Sequence, residues 1–163
     1  MIKYRFLLLG LFPGYVFAQA KMDFESYNPP STLVVAEHKL TRAKYPFIDV
    51  HNHQYNMPGM DLSSLITEMD KLNMKVMVNL SGGNGDQLKK AADNVKTHYP
   101  KRFILFANID FKNVGEAGWG EKAARQLEQD VKNGANGLKI FKNLGFSVTD
   151  INGKRVAVDD ARL

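Results

Sequence analysis

Four short apolar runs, each followed by a stretch with apolar residues every three or four positions, constrain this chain more than any other feature. The runs cover residues 47–52, 76–80, 102–108 and 137–141. Between them the spacing predicts three helices. The first spans 63–73 and places Leu62, Leu65, Ile66, Met69 and Leu72 on one face, with Asp61 or Ser63 as its cap. The second spans 86–98, with Leu88, Ala91, Ala92 and Val95 inward and Pro100 beyond its end. The third runs from 119 to 132, with Ala124, Leu127 and Val131 inward and Asn133-Gly134 as its stop. Apolar strands alternating with amphipathic helices imply a parallel sheet with helices outside it. Two architectures meet that description, a doubly wound sheet and a (β/α)8 barrel. The first strand–helix junction has no Gly-x-Gly-x-x-Gly pattern, which weakens a dinucleotide-binding reading. Polar residues gather instead at the C-terminal ends of the runs: His51 and His53, Asn79, Asn108 and Lys139. Barrel enzymes build their sites at that end.

The first run, Pro46-Phe47-Ile48-Asp49-Val50-His51-Asn52-His53-Gln54, carries the chemistry. Strand alternation puts Asp49, His51 and His53 on one face and Ile48 and Val50 on the other. The apolar residues predict a buried, central strand. Polar groups on a buried strand must meet each other, water or an ion. Two imidazoles two residues apart can reach one metal ion, and a metal satisfies all three polar groups together.

Residues 1–20 read as a leader that directs export to the periplasm or the outside of the cell. Lys3 and Arg5 precede the apolar stretch 6–12, and Ala18-Gln19-Ala20 supplies a small-x-small cleavage site. The apolar stretch is short for a bilayer span of about 20 residues, so no membrane association is expected after cleavage. Residues 21–46 read as an arm with a turn at Asn28-Pro29-Pro30-Ser31 and a short strand at Thr32-Leu33-Val34-Val35. The formal charge of +5 comes from scattered lysines and arginines rather than a basic block, so no nucleic-acid partner is expected. The absence of cysteine excludes a disulfide framework and a thiolate-bound zinc.

With the strand order and the Asp49-Val50-His51-Asn52-His53 segment in place, the chain resembles the amidohydrolase superfamily, and most its amidohydrolase-related branch of metal-dependent hydrolases and decarboxylases. Gly134-Ala135-Asn136-Gly137-Leu138-Lys139-Ile140-Phe141 resembles that family's fourth strand. The resemblance spans about residues 28–163. It implies a TIM-like (β/α)8 metal-dependent hydrolase barrel. The chain's 163 residues, against about 250 for a whole barrel, lead us to expect a fragment, residues 47–163 being the first half. It further implies that His51 and His53 are ligands of a divalent metal, zinc foremost, with Asp49 behind an imidazole. It implies that Lys139 stands where some branches carry a carboxylated bridge between two metals. The family's further ligand histidines and its catalytic Asp lie on later strands, so no catalytic base is visible here. The implied substrate is a small molecule with an amide, ester or lactone carbonyl.

Plainer readings stand beside these. Lys139 can pair with an acidic neighbour. Ser81-Gly82-Gly83-Asn84-Gly85 can cradle a phosphate at a helix start, but reads better as a strand-to-helix turn. Asn79 and Asn108 can line a site or satisfy loop backbone. Trp119, the single tryptophan, reads as packing near a helix start. His38 and His98 read as surface residues, and Lys142 as solvated. A turn is expected at Asn152-Gly153, and residues 158–163 read as the start of another helix. Three alternatives compete with a hydrolase of this family: a decarboxylase of the same superfamily, a phosphoesterase or nuclease, and a truncated half-barrel without catalysis. The sequence sets no oligomeric state.

Overall fold

The structure, a computed structural model, describes residues 23–163. The leader expected at 1–20 lies outside the described residues. No helix among the described residues is long and apolar enough to cross a membrane.

The described residues up to His38 form one unit and Lys39–Leu163 another. In the first, the described residues form a turn at 24–26 and otherwise carry no helix or strand. The strand expected at Thr32–Val35 does not form. Leu33, Val34 and Val35 are all exposed, and a β-prone segment without a ladder partner has nothing to hold it extended.

The second unit runs β1 (Phe47–Asn52), a 3-10 turn (Met57–Gly59), α1 (Ser63–Leu72), β2 (Met74–Asn79), α2 (Gly85–His98), β3 (Phe103–Asn108), α3 (Trp119–Asn133) and β4 (Gly137–Lys139). The four strands make one parallel sheet in the order β1-β2-β3-β4. Each new strand joins the same edge, so the described sheet has no point where the winding reverses. That reversal is what defines a doubly wound sheet.

Register shows which face the helices cover. Met77 lies opposite Phe103, and Leu105 and Ala107 follow at two-residue steps on the same side. Met77, Phe103 and Leu105 pack with Met69 of α1 and Ala91, Ala92 and Val95 of α2. Ala107 packs with Leu88 of α2 and Leu127 of α3. All three helices therefore cover one face, as same-handed crossovers in a steadily advancing sheet require. The other face carries Ile48, Val50, Val76, Val78, Ile104, Phe106 and Lys139. The sheet is curled toward that face. Three strand spacings would separate β1 from β4 by roughly 14 Å if flat. Yet the ring of Phe141, just beyond β4, lies 5.8 Å from that of His53, just beyond β1.

The structure corrects four further expectations. β1 is not a buried central strand but the edge of the described sheet, with Ile48 53% and Val50 70% exposed. Its apolar residues fit burial, but the pairing leaves it a neighbour on one side only. α3 turns inward through Ala123, Leu127 and Asp130 rather than Ala124 and Val131; Val131 is exposed and Asp130 fully buried. The reason is a bond the apolar spacing cannot show. Asp130 accepts the backbone N–H of Gly85, at the start of α2, at 2.7 Å, and the Gln126 amide at 3.0 Å. A carboxylate there meets an unpaired helix donor and the positive end of the α2 dipole. Residues 158–163 form turns, not a helix. Arg162 is drawn back onto Asp150 and Asp160, at 2.9 and 2.6 Å. The turn expected at Asn152-Gly153 is present, inside an antiparallel bridge between Thr149 and Arg155. The fourth correction, to the side-chain alternation of β1, shapes the site.

Candidate metal centre

β1 does not alternate to its end. Asp49 lies opposite Met77 and Asn52 opposite Asn79, three residues on β1 against two on β2. One residue is inserted, and a bulge of this kind re-aims the side chains that follow it. Asp49 and Asn52 consequently share the helix-covered face, where the Asn52 amide donates to the Asp49 carboxylate at 2.9 Å. His51 and His53, flanking Asn52, turn to the helix-free face. The three polar groups expected on one face are thus divided two and one. Asp49 also accepts the backbone N–H of His51 at 3.0 Å. It braces the bulged main chain that carries the imidazoles.

The two imidazoles converge. Their Nε2 atoms lie 3.1 Å apart, with ring centroids at 5.1 Å and planes at 67°. An ion about 2.0–2.1 Å from each nitrogen, the usual zinc distance, would subtend roughly 100° between them at this 3.1 Å separation. That angle lies between octahedral and tetrahedral values, so the pair fits two neighbouring coordination positions. Among the described residues no group of three His, Cys, Asp or Glu stands together.

His53 is held on several sides. Its Nδ1 lies 2.7 Å from the Ser81 hydroxyl, its ring stacks on Tyr55 at 6.0 Å, and Phe141 covers it at 5.8 Å. The segment after it is fixed by Asn79, which is fully buried. The Asn79 carbonyl oxygen accepts the backbone N–H groups of Gln54 and Ser81, both at 2.9 Å. Its amide donates to the Gln54 carbonyl at 2.9 Å and faces the Met57 sulfur at 3.3 Å. Asn108 repeats the device one strand along. It accepts from the Gly83 N–H at 2.9 Å and donates to the carbonyls of Leu80 and Lys139, at 2.9 and 3.1 Å. Both asparagines serve the loop backbone rather than the open site.

Lys139 pairs in register with Asn108, on the same helix-free face as the histidines but on the opposite outer strand. The half-buried side chain shares the concave face with the pair. Phe141, two residues on, is the group from this end that touches His53. The loop Ser81–Gly85 does not offer a phosphate cradle. The backbone N–H groups of Ser81, Gly82, Gly83 and Gly85 are taken by Asn79, Phe106, Asn108 and Asp130 respectively. Trp119 packs on Phe111 at 5.9 Å and donates its indole N–H to the Lys112 carbonyl. His98 ends α2, with its Nδ1 3.0 Å from the Asn94 carbonyl. Lys142 and His38 are exposed.

Nothing in the sequence pattern places Ser81, Tyr55 or Phe141 beside the imidazoles. Of the three, only Tyr55 is near His53 in sequence. Ser81 and Phe141 reach the site only through the pairing of β2 with β1 and the curl of the sheet. No protein-family model, curated protein or solved structure matches this chain.

Proposed function

We propose that this chain is part of a metal-dependent hydrolase barrel of the amidohydrolase type, in which His51 and His53 hold a divalent ion, zinc foremost. The observation that carries the reading is the 3.1 Å approach of the two Nε2 atoms at the C-terminal end of the first strand. The steadily advancing parallel sheet supports it, because this is the end at which barrel enzymes place their chemistry. A zinc ion so held supplies Lewis acidity and a water acidified to a pKa of about 7. In the proposal His51 and His53 fix the ion, and Asp49 holds the bulge that aims them. Tyr55 and Phe141 shield the His53 ring from water, and Lys139 presents a cation or a bridging group on the same concave face. The substrate is a small molecule with an amide, ester or lactone carbonyl that approaches from that face. Export of the mature chain is part of the proposal and rests on residues 1–20.

A second reading is a half-barrel that is inactive by itself. The exposure of Ile48 and Val50 favours it, as does the pairing of only two metal-binding side chains among the described residues. One experiment addresses both. The purified chain is titrated with zinc against a chromophoric chelator, and turnover of simple esters and lactones is followed. Binding at one equivalent, lost by at least about tenfold in His51→Ala and His53→Ala, supports the metal site. Turnover supports the hydrolase, and binding without turnover supports the inactive half-barrel. An unchanged affinity in both variants removes the site.

A further inference from the structure

We propose that Ser81 is a positioning residue that sets the tautomer of His53, with Asn79 holding the two in place. The inference rests on the metal-site reading for its purpose, though not for its geometry.

A ring nitrogen that is to bind an ion must be bare, so the neutral imidazole carries its proton on the other nitrogen. In His53 the Nε2 atom meets His51 and the Nδ1 atom meets Ser81, at 2.7 Å. If Nε2 is the binding atom, Nδ1–H must donate and the Ser81 hydroxyl oxygen must accept. The same assignment suits the ion-free protein. His53 Nδ1–H donates to Ser81, and the bare His53 Nε2 accepts from His51 Nε2–H across 3.1 Å. The hydroxyl stands at the head of this chain of bonds, and in the proposal it accepts, which directs each bond after it. Outer partners of this kind orient ligand histidines, and their loss typically costs 10–100-fold in metal affinity.

Three observations single out Ser81. It is buried, so water does not compete freely for its hydroxyl. It does not serve as a local cap, the usual role of a serine in a strand-to-helix turn. The N-cap position of α2 belongs to Asn84, and the Ser81 hydroxyl meets a ring 28 positions away in sequence. Its main chain is also fixed independently, because Asn79 accepts the Ser81 N–H while gripping both backbone groups of Gln54. A single buried amide thus joins the residue after His53 to the residue that bonds its ring.

The test uses the whole chain, with Ser81→Ala and Ser81→Thr. Ser81→Ala removes one oxygen and leaves the backbone bond to Asn79. Long-range proton–nitrogen spectra of the ion-free protein read the tautomer directly. We expect the Nδ1–H form for His53 in the parent and in Ser81→Thr, and its loss in Ser81→Ala. Zinc affinity should fall 10–100-fold in Ser81→Ala and return in Ser81→Thr, with thermal unfolding almost unchanged. The proposal is overturned if the parent holds His53 as the Nε2–H form, or if Ser81→Ala leaves the tautomer as it was. Should the parent bind no zinc, the metal reading fails, while the ion-free spectra still decide the role of Ser81. If zinc binds equally well to the parent and to Ser81→Ala, the metal reading stands and the positioning role is overturned.

Discussion

β1 and β2 are neighbours of equal length, and each ends in asparagine: Phe-Ile-Asp-Val-His-Asn beside Met-Lys-Val-Met-Val-Asn. They differ in what holds them. Met74, Met77, Val78 and Asn79 of β2 are buried, whereas β1 buries none of its six residues. Met77 belongs to the core formed with α1 and α2, while the polar side chains of β1 are tied by hydrogen bonds. The candidate chemistry sits on the strand that packing does not hold. It is placed instead by bonds made within its bulge and from the end of β2. Hydrogen bonds suit that task because they are directional, whereas apolar burial scales with area and does not aim a ring.

The largest expected effect tests the packed side of this comparison. Met77→Ala should cost about 2–5 kcal/mol of unfolding free energy, the usual range for a large core side chain. The residue is almost fully buried among Met69, Ala91 and Phe103. Chemical denaturation measures it, and a loss below about 1 kcal/mol would mean that the β2 core is loosely filled. Next in size is Asn79→Ala, expected to cost about 2 kcal/mol. The Gln54 N–H and carbonyl and the Ser81 N–H would lose their partner in a buried place. Unlike Met77→Ala, it should also loosen the His51–His53 pair. Zinc affinity measured beside stability separates the two: a variant that loses stability but keeps affinity would show that the amide holds the fold and not the site.

The sequence carries the order of elements well, because period-two and period-3.6 patterns are local. β1 spans the expected residues, and the three helices fall within a residue or so of their predicted ends. Leu88, Ala91, Ala92 and Val95 of α2 are all buried, as their spacing implies. The failures share a cause. An apolar strand residue can be buried without saying what buries it, so Ile48 and Val50 looked central and are exposed. The bulge that separates Asp49 from the histidines depends on register with β2, which no property of residues 47–53 encodes alone. The apolar spacing of α3 carries no signal for the burial of Asp130, because its partner Gly85 lies 45 positions away. His51 and His53 were legible by their spacing. Ser81 and Phe141 became visible only through the folded sheet.

A smaller effect concerns the C-terminal segment. Val148 and Val156 there pack with Val114, and Phe111, Trp119 and Leu144 lie against them. Arg162 bonds both Asp150 and Asp160, and these hydrogen bonds hold both carboxyls below the usual carboxylate range. A carboxyl with a lowered folded pKa contributes stability that is full above its unfolded value of about 4 and is lost as pH falls through the folded value. Acid below about pH 4 should therefore loosen this segment, with Trp119, the single tryptophan, reporting it by fluorescence. Arg162→Gln should move the transition to higher pH, toward the ordinary carboxylate range. A transition that stays in place would mean that Arg162 does not govern it.

The smallest expected effect lies on the open side of the comparison. Val50 is 70% exposed on the helix-free face, beside the bulge that carries His51. Val50→Thr keeps the β-branched shape and replaces one methyl group by a hydroxyl. Where that methyl meets water, the change should alter unfolding free energy by no more than about 0.5 kcal/mol. The same substitution at a covered position would bury a hydroxyl without a partner, at about 1–3 kcal/mol. Val50→Thr therefore reports whether the concave face is open. A small, concentration-independent change upholds a strand held by its polar bonds. A loss above about 1 kcal/mol that grows with protein concentration would mean that association covers the face. In that case β1 would be packed after all, against a second chain, and the histidines would stand at an interface rather than an edge.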